Sequence, residues 1–215
     1  MFKIIILDFD GVILESLDIK TKAFLKVYED YPEYAEKIAQ YHLQNGGVSR
    51  YKKFVYINTN ILGIPVNDAI TEKLAMIFSE AVVDEMLKCP FVNGALDFIN
   101  KYSNNSNLYI ASGTPEDELV YIVEKYNLGK YFKGVYGTPR TKSEIIAYIL
   151  NKEMADNEDA VFIGDAITDY NGAKEANVAF IARMNGQTPD NPFSDMDVVS
   201  VNDLRELDEV LEAGF

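Results

Sequence analysis

Residues 3–10, KIIILDFD, carry a near-continuous apolar run that ends in two acidic positions. A run without polar alternation marks a strand covered on both faces, as in a parallel sheet. Runs of the same kind recur at 108–112 (LYIAS), 160–165 (AVFIGD), 178–183 (VAFIAR) and 197–201 (DVVSV). The segments between them change period. Residues 116–126 set Leu119, Val120, Ile122 and Val123 on a helical repeat, and 143–150 and 168–176 also pattern as helices. Strands alternating with amphipathic helices predict βαβ units, and hence an α/β fold with a doubly wound parallel sheet.

The interval from 15 to 88 breaks that rhythm, because it contains no convincing buried strand. Ile19, Ala23, Phe24, Val27 and Tyr28 form one helical stripe, and Ile70, Leu74, Ile77, Phe78 and Ala81 form another. Between them lie a Gly-Gly loop, NGGVSR, and the aromatic-rich YKKFVYI. Such an interval reads either as a helical layer on one face of the core or as a separate insertion, and its length favours a small α-helical cap. The expected organisation is a core of residues 1–14 and 89–215 with a cap of 15–88. Residues 104–107 (NNSN) read as a turn and 184–192 (MNGQTPDNP) as a loop.

Composition narrows the function. Of the 215 residues 48% are hydrophobic and 25% charged, enough for a sizeable core without crosslinks. The single cysteine, Cys89, excludes an intrachain disulfide and a cysteine-rich zinc site. Net charge is −14. So acidic a surface repels nucleic acid and anionic membranes, yet leaves room for a small phosphorylated metabolite held by a local positive field. The N-terminal apolar run is too short for a signal peptide or a membrane span. A cytoplasmic protein, monomeric or weakly dimeric, is the expectation.

Four segments carry candidate chemistry, each at the C-terminal end of an expected strand or on the loop beyond, where open α/β sheets bind ligands. In Asp8-Phe9-Asp10-Gly11, strand alternation places both carboxylates on one face, where their repulsion calls for a cation or a shared proton. Magnesium meets that need with carboxylate, water and phosphate oxygens. One carboxylate can then attack phosphorus while the other manages a proton. Gly11 permits a tight turn that offers amides to a phosphate. Ser112-Gly113-Thr114 suits either phosphate binding or helix capping. Lys142, with Arg140 as a neighbour competing for the role, stands where a helix should start. Gly164-Asp165-Ala166-Ile167-Thr168-Asp169 again sets two carboxylates beyond a buried strand; Asp169 reads equally as a helix cap.

In this order and on this topology the four segments resemble the motifs of the haloacid dehalogenase superfamily, and the placement of the insertion resembles its subclass with a helical cap. The resemblance covers nearly the whole chain. It implies that Asp8 attacks phosphorus and that Asp10 first protonates the leaving group and then activates water. Ser112, Gly113, Gly11 and Lys142 would hold the transferred phosphoryl group. Mg²⁺ would be bound by Asp8, Asp10 (through its backbone carbonyl) and Asp165, with Asp169 in direct contact or behind. An acid at Asp10 favours phosphate esters over haloacids.

The cap segment GGVSR resembles part of beta-phosphoglucomutase, in which a cap arginine grips the non-transferring phosphate. Arg50 would then be a substrate contact, or otherwise a surface charge after a Gly-Gly turn. Where those mutases carry a histidine after the first motif this chain has Lys20, which either faces the substrate or sits on a helix surface; the single histidine, His42, lies elsewhere. Hydrolysis of a sugar phosphate or a phosphoglycolate-like ester is therefore the expected activity. A sugar phosphomutase and a non-catalytic module of the same fold are the alternatives.

Overall fold

The computed structural model describes residues 2–186 and 191–213, so residues 187–190 of the expected loop at 184–192 lie outside the described residues. Six strands form one sheet: β1 (Ile4–Leu7), β2 (Asn107–Pro115), β3 (Phe132–Thr138), β4 (Ala160–Gly164), β5 (Ala179–Arg183) and β6 (Val199–Val201). Their order is β3-β2-β1-β4-β5-β6, and each neighbouring pair is parallel. The chain builds outward from β1 in one direction through β2 and β3, then returns to build outward in the other from β4. Strand order therefore reverses between β1 and β4, and the crevice at such a switch point is the natural ligand site of an open α/β sheet.

Two-residue alternation sorts the strand side chains into two layers. Ile5, Leu7, Leu108, Ile110, Val161 and Ile163 join one apolar cluster, with α5 (Ala95–Tyr102), α6 (Glu116–Lys125) and α9 (Leu207–Ala213) packed over it. Ile4, Ile6, Tyr109, Ala111 and Phe162 join the other, beneath α7 (Lys142–Glu153) and α8 (Ile167–Glu175). Coverage of both faces explains why these strands read as unbroken apolar runs. Strand β3 was not expected from the sequence. It is an outer strand, mostly half-buried, and its sequence FKGVYGT carries two glycines and a lysine in place of an apolar run.

Between β1 and α5 the chain forms the helical cap: α1 (Leu17–Val27), α2 (Ala35–Gln44), α3 (Arg50–Tyr56) and α4 (Asp68–Met86). Asn67 starts α4 by accepting a hydrogen bond from the Ile70 amide. The two apolar stripes of α1 and α4 meet around Phe24, Phe54 and Phe78. The Phe24 ring lies 5.5 Å from Phe54 and 4.7 Å from Phe78, all three being buried. Each such side chain contributes roughly 1.5–3 kcal/mol on burial, and the three rings belong to the same apolar cluster as Ile5 and Leu7 of β1. No helix among the described residues is long and apolar enough to cross a membrane.

The Gly-Gly loop is where the cap meets the core. The Thr168 hydroxyl donates to the Gly46 carbonyl at 2.9 Å. A Cβ on Gly113 would stand 2.4 Å from the Gly47 carbonyl oxygen, closer than packed atoms allow, so residue 113 has to be glycine for the loop to seat. Gly113→Ala is expected to lift this loop while sparing the sheet, at a cost of about 1–3 kcal/mol. Hydrogen exchange should show faster amides at 45–48 and unchanged protection in β1 and β4; equal protection in both regions would contradict the seating.

Candidate active site

Strand β1 ends at Leu7, and the amide of Asp8 still donates to the Ile163 carbonyl of β4 at 2.9 Å. That bond holds Asp8 at the switch point. Beyond it the chain turns: Gly11 has φ +75°, and its amide donates to the Leu14 carbonyl. A side chain at residue 11 would also collide with Asp165, whose Oδ2 lies 2.0 Å from the place a Cβ would take. Gly11 is thus required both by its conformation and by the approach of β4's acidic residue.

The turn sends the first two carboxylates to different partners. Asp8 accepts from the Phe9 amide at 2.6 Å and pairs with the Lys142 ammonium at 2.9 Å. Asp10 instead accepts from the Ser16 hydroxyl at 2.7 Å, from the Thr114 hydroxyl at 3.0 Å, and from Lys20 in a short ion pair. Because β1 stops before Asp8, strand alternation no longer governs Asp10, and the side-by-side placement expected from sequence is replaced by this division. Burial raises the pKa of Asp10, but Lys20 and the hydroxyl donors prevail and hold it below its ordinary value.

Lys142 is the first residue of α7. Thr141 caps that helix in a reciprocal box with Glu144, whose carboxylate accepts from the Thr141 amide at 2.7 Å. A cation at a helix N-terminus opposes the helix dipole, so its placement needs another cause. Two carboxylates supply it: Lys142 pairs with Asp8 and donates to Asp169. Burial alone would lower the lysine's pKa, but Asp169 and Asp8 together raise it. Asp169 also accepts from the Asp165 and Ala166 amides at 3.1 and 3.0 Å, so it caps α8 and holds Lys142 at once.

Asp8, Asp165 and Asp169 are all buried and can offer one oxygen each within 4.8 Å of one another. Three carboxylates with one ammonium leave an excess of two negative charges if all are ionised. Burial, with Asp169 next to it, raises Asp165 to about 7, and burial raises Asp8 well above its ordinary value against the pull of Lys142. This oxygen-only donor set fits a hard divalent cation in both charge and ligand type. The carboxylate of Asp10 stands outside the cluster.

The remaining expectations are also placed. Ser112 accepts from the Thr114 amide at 3.1 Å and lies 3.4 Å from Asp10, so Thr114, the last residue of the expected segment, is the closer hydroxyl. Lys20 reaches Thr114 as well as Asp10. Asn185, which the sequence placed only in a loop, donates to Asp165 at 2.8 Å. Arg50 is buried, and its guanidinium forks onto both oxygens of Glu118 in α6. Its charge is therefore already matched by a carboxylate of the core. A cavity of about 440 Å³ lies between cap and core, and Asp8, Asp10, Lys20, Arg50, Thr114 and Asp165 are on its wall.

The family model of haloacid dehalogenase-like hydrolases matches residues 5–183. The chain belongs to this family. Within it, the haloacid dehalogenase-like chain is 25% identical over 219 residues to phosphoglycolate phosphatase 1 of Pseudomonas aeruginosa, covering 95% of this chain and 78% of that protein. The phosphoglycolate phosphatase of Pseudomonas syringae pv. syringae is 23% identical over 216 residues, with the same coverage. Among solved structures, a predicted phosphatase from Clostridium acetobutylicum superposes with a TM-score of 0.80 at 18% identity over 99% of both chains. CbbY from Rhodobacter sphaeroides, in complex with phosphate, gives 0.76 at 16% identity over 96% of both. These superpositions span nearly the whole chain and show the same fold.

The charge excess has a pH signature. Asp165 titrates from 3.8 in the unfolded chain to about 7 in the fold, so without a cation its ionisation increasingly opposes folding as pH rises between those values. A bound cation requires the ionised form and removes that penalty. The thermal stabilisation given by a divalent cation is therefore expected to be larger near about pH 8 than near about pH 6. Asp165→Asn should abolish most of it. Scanning calorimetry with and without the cation checks this, and a pH-independent shift would contradict it.

Proposed function

We propose that this hydrolase is a Mg²⁺-dependent phosphatase acting on a small phosphate monoester through a phosphoryl group carried on Asp8. The observation that carries the proposal is the Lys142 ammonium, which binds Asp8 and Asp169 together beside Asp165 at the sheet's switch point. Asp8, Asp165 and Asp169 would hold Mg²⁺, which supplies positive charge to the phosphoryl oxygens when bound. Residues 15–88 act as the cap and residues 1–14 with 89–215 as the core.

In the first half-reaction an Asp8 oxygen forms a bond to phosphorus, the ester P–O bond breaks, and the leaving oxygen takes a proton from Asp10. In the second, water gives a proton to Asp10 and its oxygen to phosphorus, releasing inorganic phosphate and restoring the Asp8 carboxylate. Lys142 stays charged throughout and fixes Asp8 against the incoming dianion. The Lys20 pair keeps Asp10 ionised at rest; the arriving phosphate dianion raises its proton affinity, so Asp10 takes up a proton from solvent, gives it to the leaving oxygen in the first half-reaction and receives one from water in the second. A carboxylate kept ready as a base favours attack by water, so this contact supports a phosphatase over a mutase. The names of the Pseudomonas relatives make 2-phosphoglycolate the first substrate to try.

Asp8→Asn is expected to lower turnover of every accepted ester by more than about a thousandfold while leaving the melting temperature equal or higher. Steady-state phosphate release with Mg²⁺, and again with EDTA, is the measurement; Asp8→Asn turnover within about tenfold of the parent would refute the nucleophile assignment. Acid-quenched parent enzyme should also carry phosphate labile to hydroxylamine, and Asp8→Asn should carry none.

A further inference from the structure

Three cap cations line the cavity: Lys20 of α1 and Arg50 and Lys53 of α3. Two are committed. Lys20 pairs with Asp10, and Arg50 holds both oxygens of Glu118, donates to the Ser79 hydroxyl at 2.7 Å and lies 4.4 Å over the Phe78 ring. Lys53 differs. It is only 3% exposed, and among the described residues no carboxylate lies within ion-pair distance of its ammonium. Its hydrogen-bond partners are the Nδ1 of His42 at 2.8 Å and the His42 carbonyl at 3.2 Å, and the Phe24 ring stands 5.5 Å away.

A buried ammonium without a counter-charge is costly and calls for a reason. His42 supplies orientation without neutralisation. Burial, and then the Lys53 charge, hold the imidazole's pKa well below its ordinary value, so the ring is neutral and its Nδ1 accepts. In its charged form the Lys53 ammonium has three donors and retains one beyond the two that His42 satisfies. Burial and the neighbouring Lys20, partly offset by Asp10 and Asp165, bring Lys53 down to about 7, as expected for a cation awaiting an anion.

We propose that Lys53, oriented by His42, is a specificity residue that binds a carboxylate on the substrate, so that the preferred substrates are short phosphorylated carboxylic acids. The inference rests on the phosphatase reading, which places the phosphoryl group at Asp8 on the same cavity. One fixed unit charge in a wall shared with Phe24 and Phe78 matches a monoanionic carboxylate. A second phosphate dianion would leave a buried negative charge uncompensated. His42 is a positioning residue in this scheme, because it acts through Lys53.

The test separates recognition from turnover. Asp8→Asn and Asp8→Asn/Lys53→Met are titrated with 2-phosphoglycolate, with ethyl phosphate (which lacks the carboxylate) and with ethane-1,2-diyl bisphosphate, in Mg²⁺, by calorimetry. Adding Lys53→Met is expected to weaken 2-phosphoglycolate on the order of tenfold to a hundredfold and ethyl phosphate by less than about threefold. In the Asp8-intact enzyme the same loss should appear in KM more than in kcat, and Lys53→Arg should recover part of it. Thermal melts report whether each variant folds, and methionine fills a similar volume. An equal effect on 2-phosphoglycolate and ethyl phosphate, or no effect on either, would overturn the assignment. A selective loss confined to the bisphosphate would overturn the carboxylate in favour of a second phosphate. If the titrations hold and phosphate release does not depend on Asp8, the catalytic reading fails while the Lys53 assignment stands.

Discussion

Lys142 sits between Asp8 and Asp169 with its charge buried, and the rest of the site is arranged around that contact. One ammonium cannot balance three buried carboxylates, and proteins do not leave such an excess uncompensated. Either protons or a divalent cation must make up the difference. The raised proton affinities of Asp8 and Asp165 express the first option, and the all-oxygen donor set expresses the second. Protons and metal thus compete for one pocket of negative charge. A divalent cation would bring the sum of these charges to zero, so the pocket would no longer repel a dianionic ester.

The fold makes this crowding possible by bringing distant residues to one edge. Asp8 follows β1, Asp165 follows β4, and Lys142 opens α7, the helix that precedes β4. Backbone ladders and helix caps fix all three before any side chain is considered. The Thr141–Glu144 box sets the start of α7, and Asp169 caps α8 with the same carboxylate that holds Lys142. A residue that read as either a cap or a ligand is thus seen to cap, and its other oxygen is taken by the Lys142 ammonium.

Much of this was legible in the sequence because burial on both faces forces apolar runs, and the acidic residues stand directly after those runs. The five expected strands are present, as is a helical interval between β1 and β2. Strand β3 was illegible because an outer strand needs no unbroken apolar run, and Phe132–Thr138 has none. The partition of Asp8 and Asp10 was missed because alternation was extended past Leu7, where the strand stops. Partnerships such as Arg50 with Glu118 and Lys53 with His42 join residues whose spacing along the chain carries no periodic signal. The resemblance of GGVSR made Arg50 a candidate substrate contact, and the fold adds what the sequence could not show, its pairing with the core carboxylate of Glu118.

That last contact bears on how the cap is held to the core. Arg50 to Glu118, Lys20 to Asp10 and Thr168 to Gly46 all join cap to core. Apolar packing joins them as well, since Phe24, Phe54 and Phe78 of the cap share one cluster with Ile5 and Leu7 of the core, and such packing is strong. Ion pairs behave differently, since the attraction gained on closing is largely offset by the water each charge gives up. The polar pairs therefore add little to that packing, and an interaction supplied by substrate would add to closure. An anion reaching Lys53 from the substrate would supply such an interaction on the cap side while its phosphate engages the core side. Substrate identity and cap position would then be coupled through a single molecule that touches both walls, so a poor ligand would leave the cap open to water.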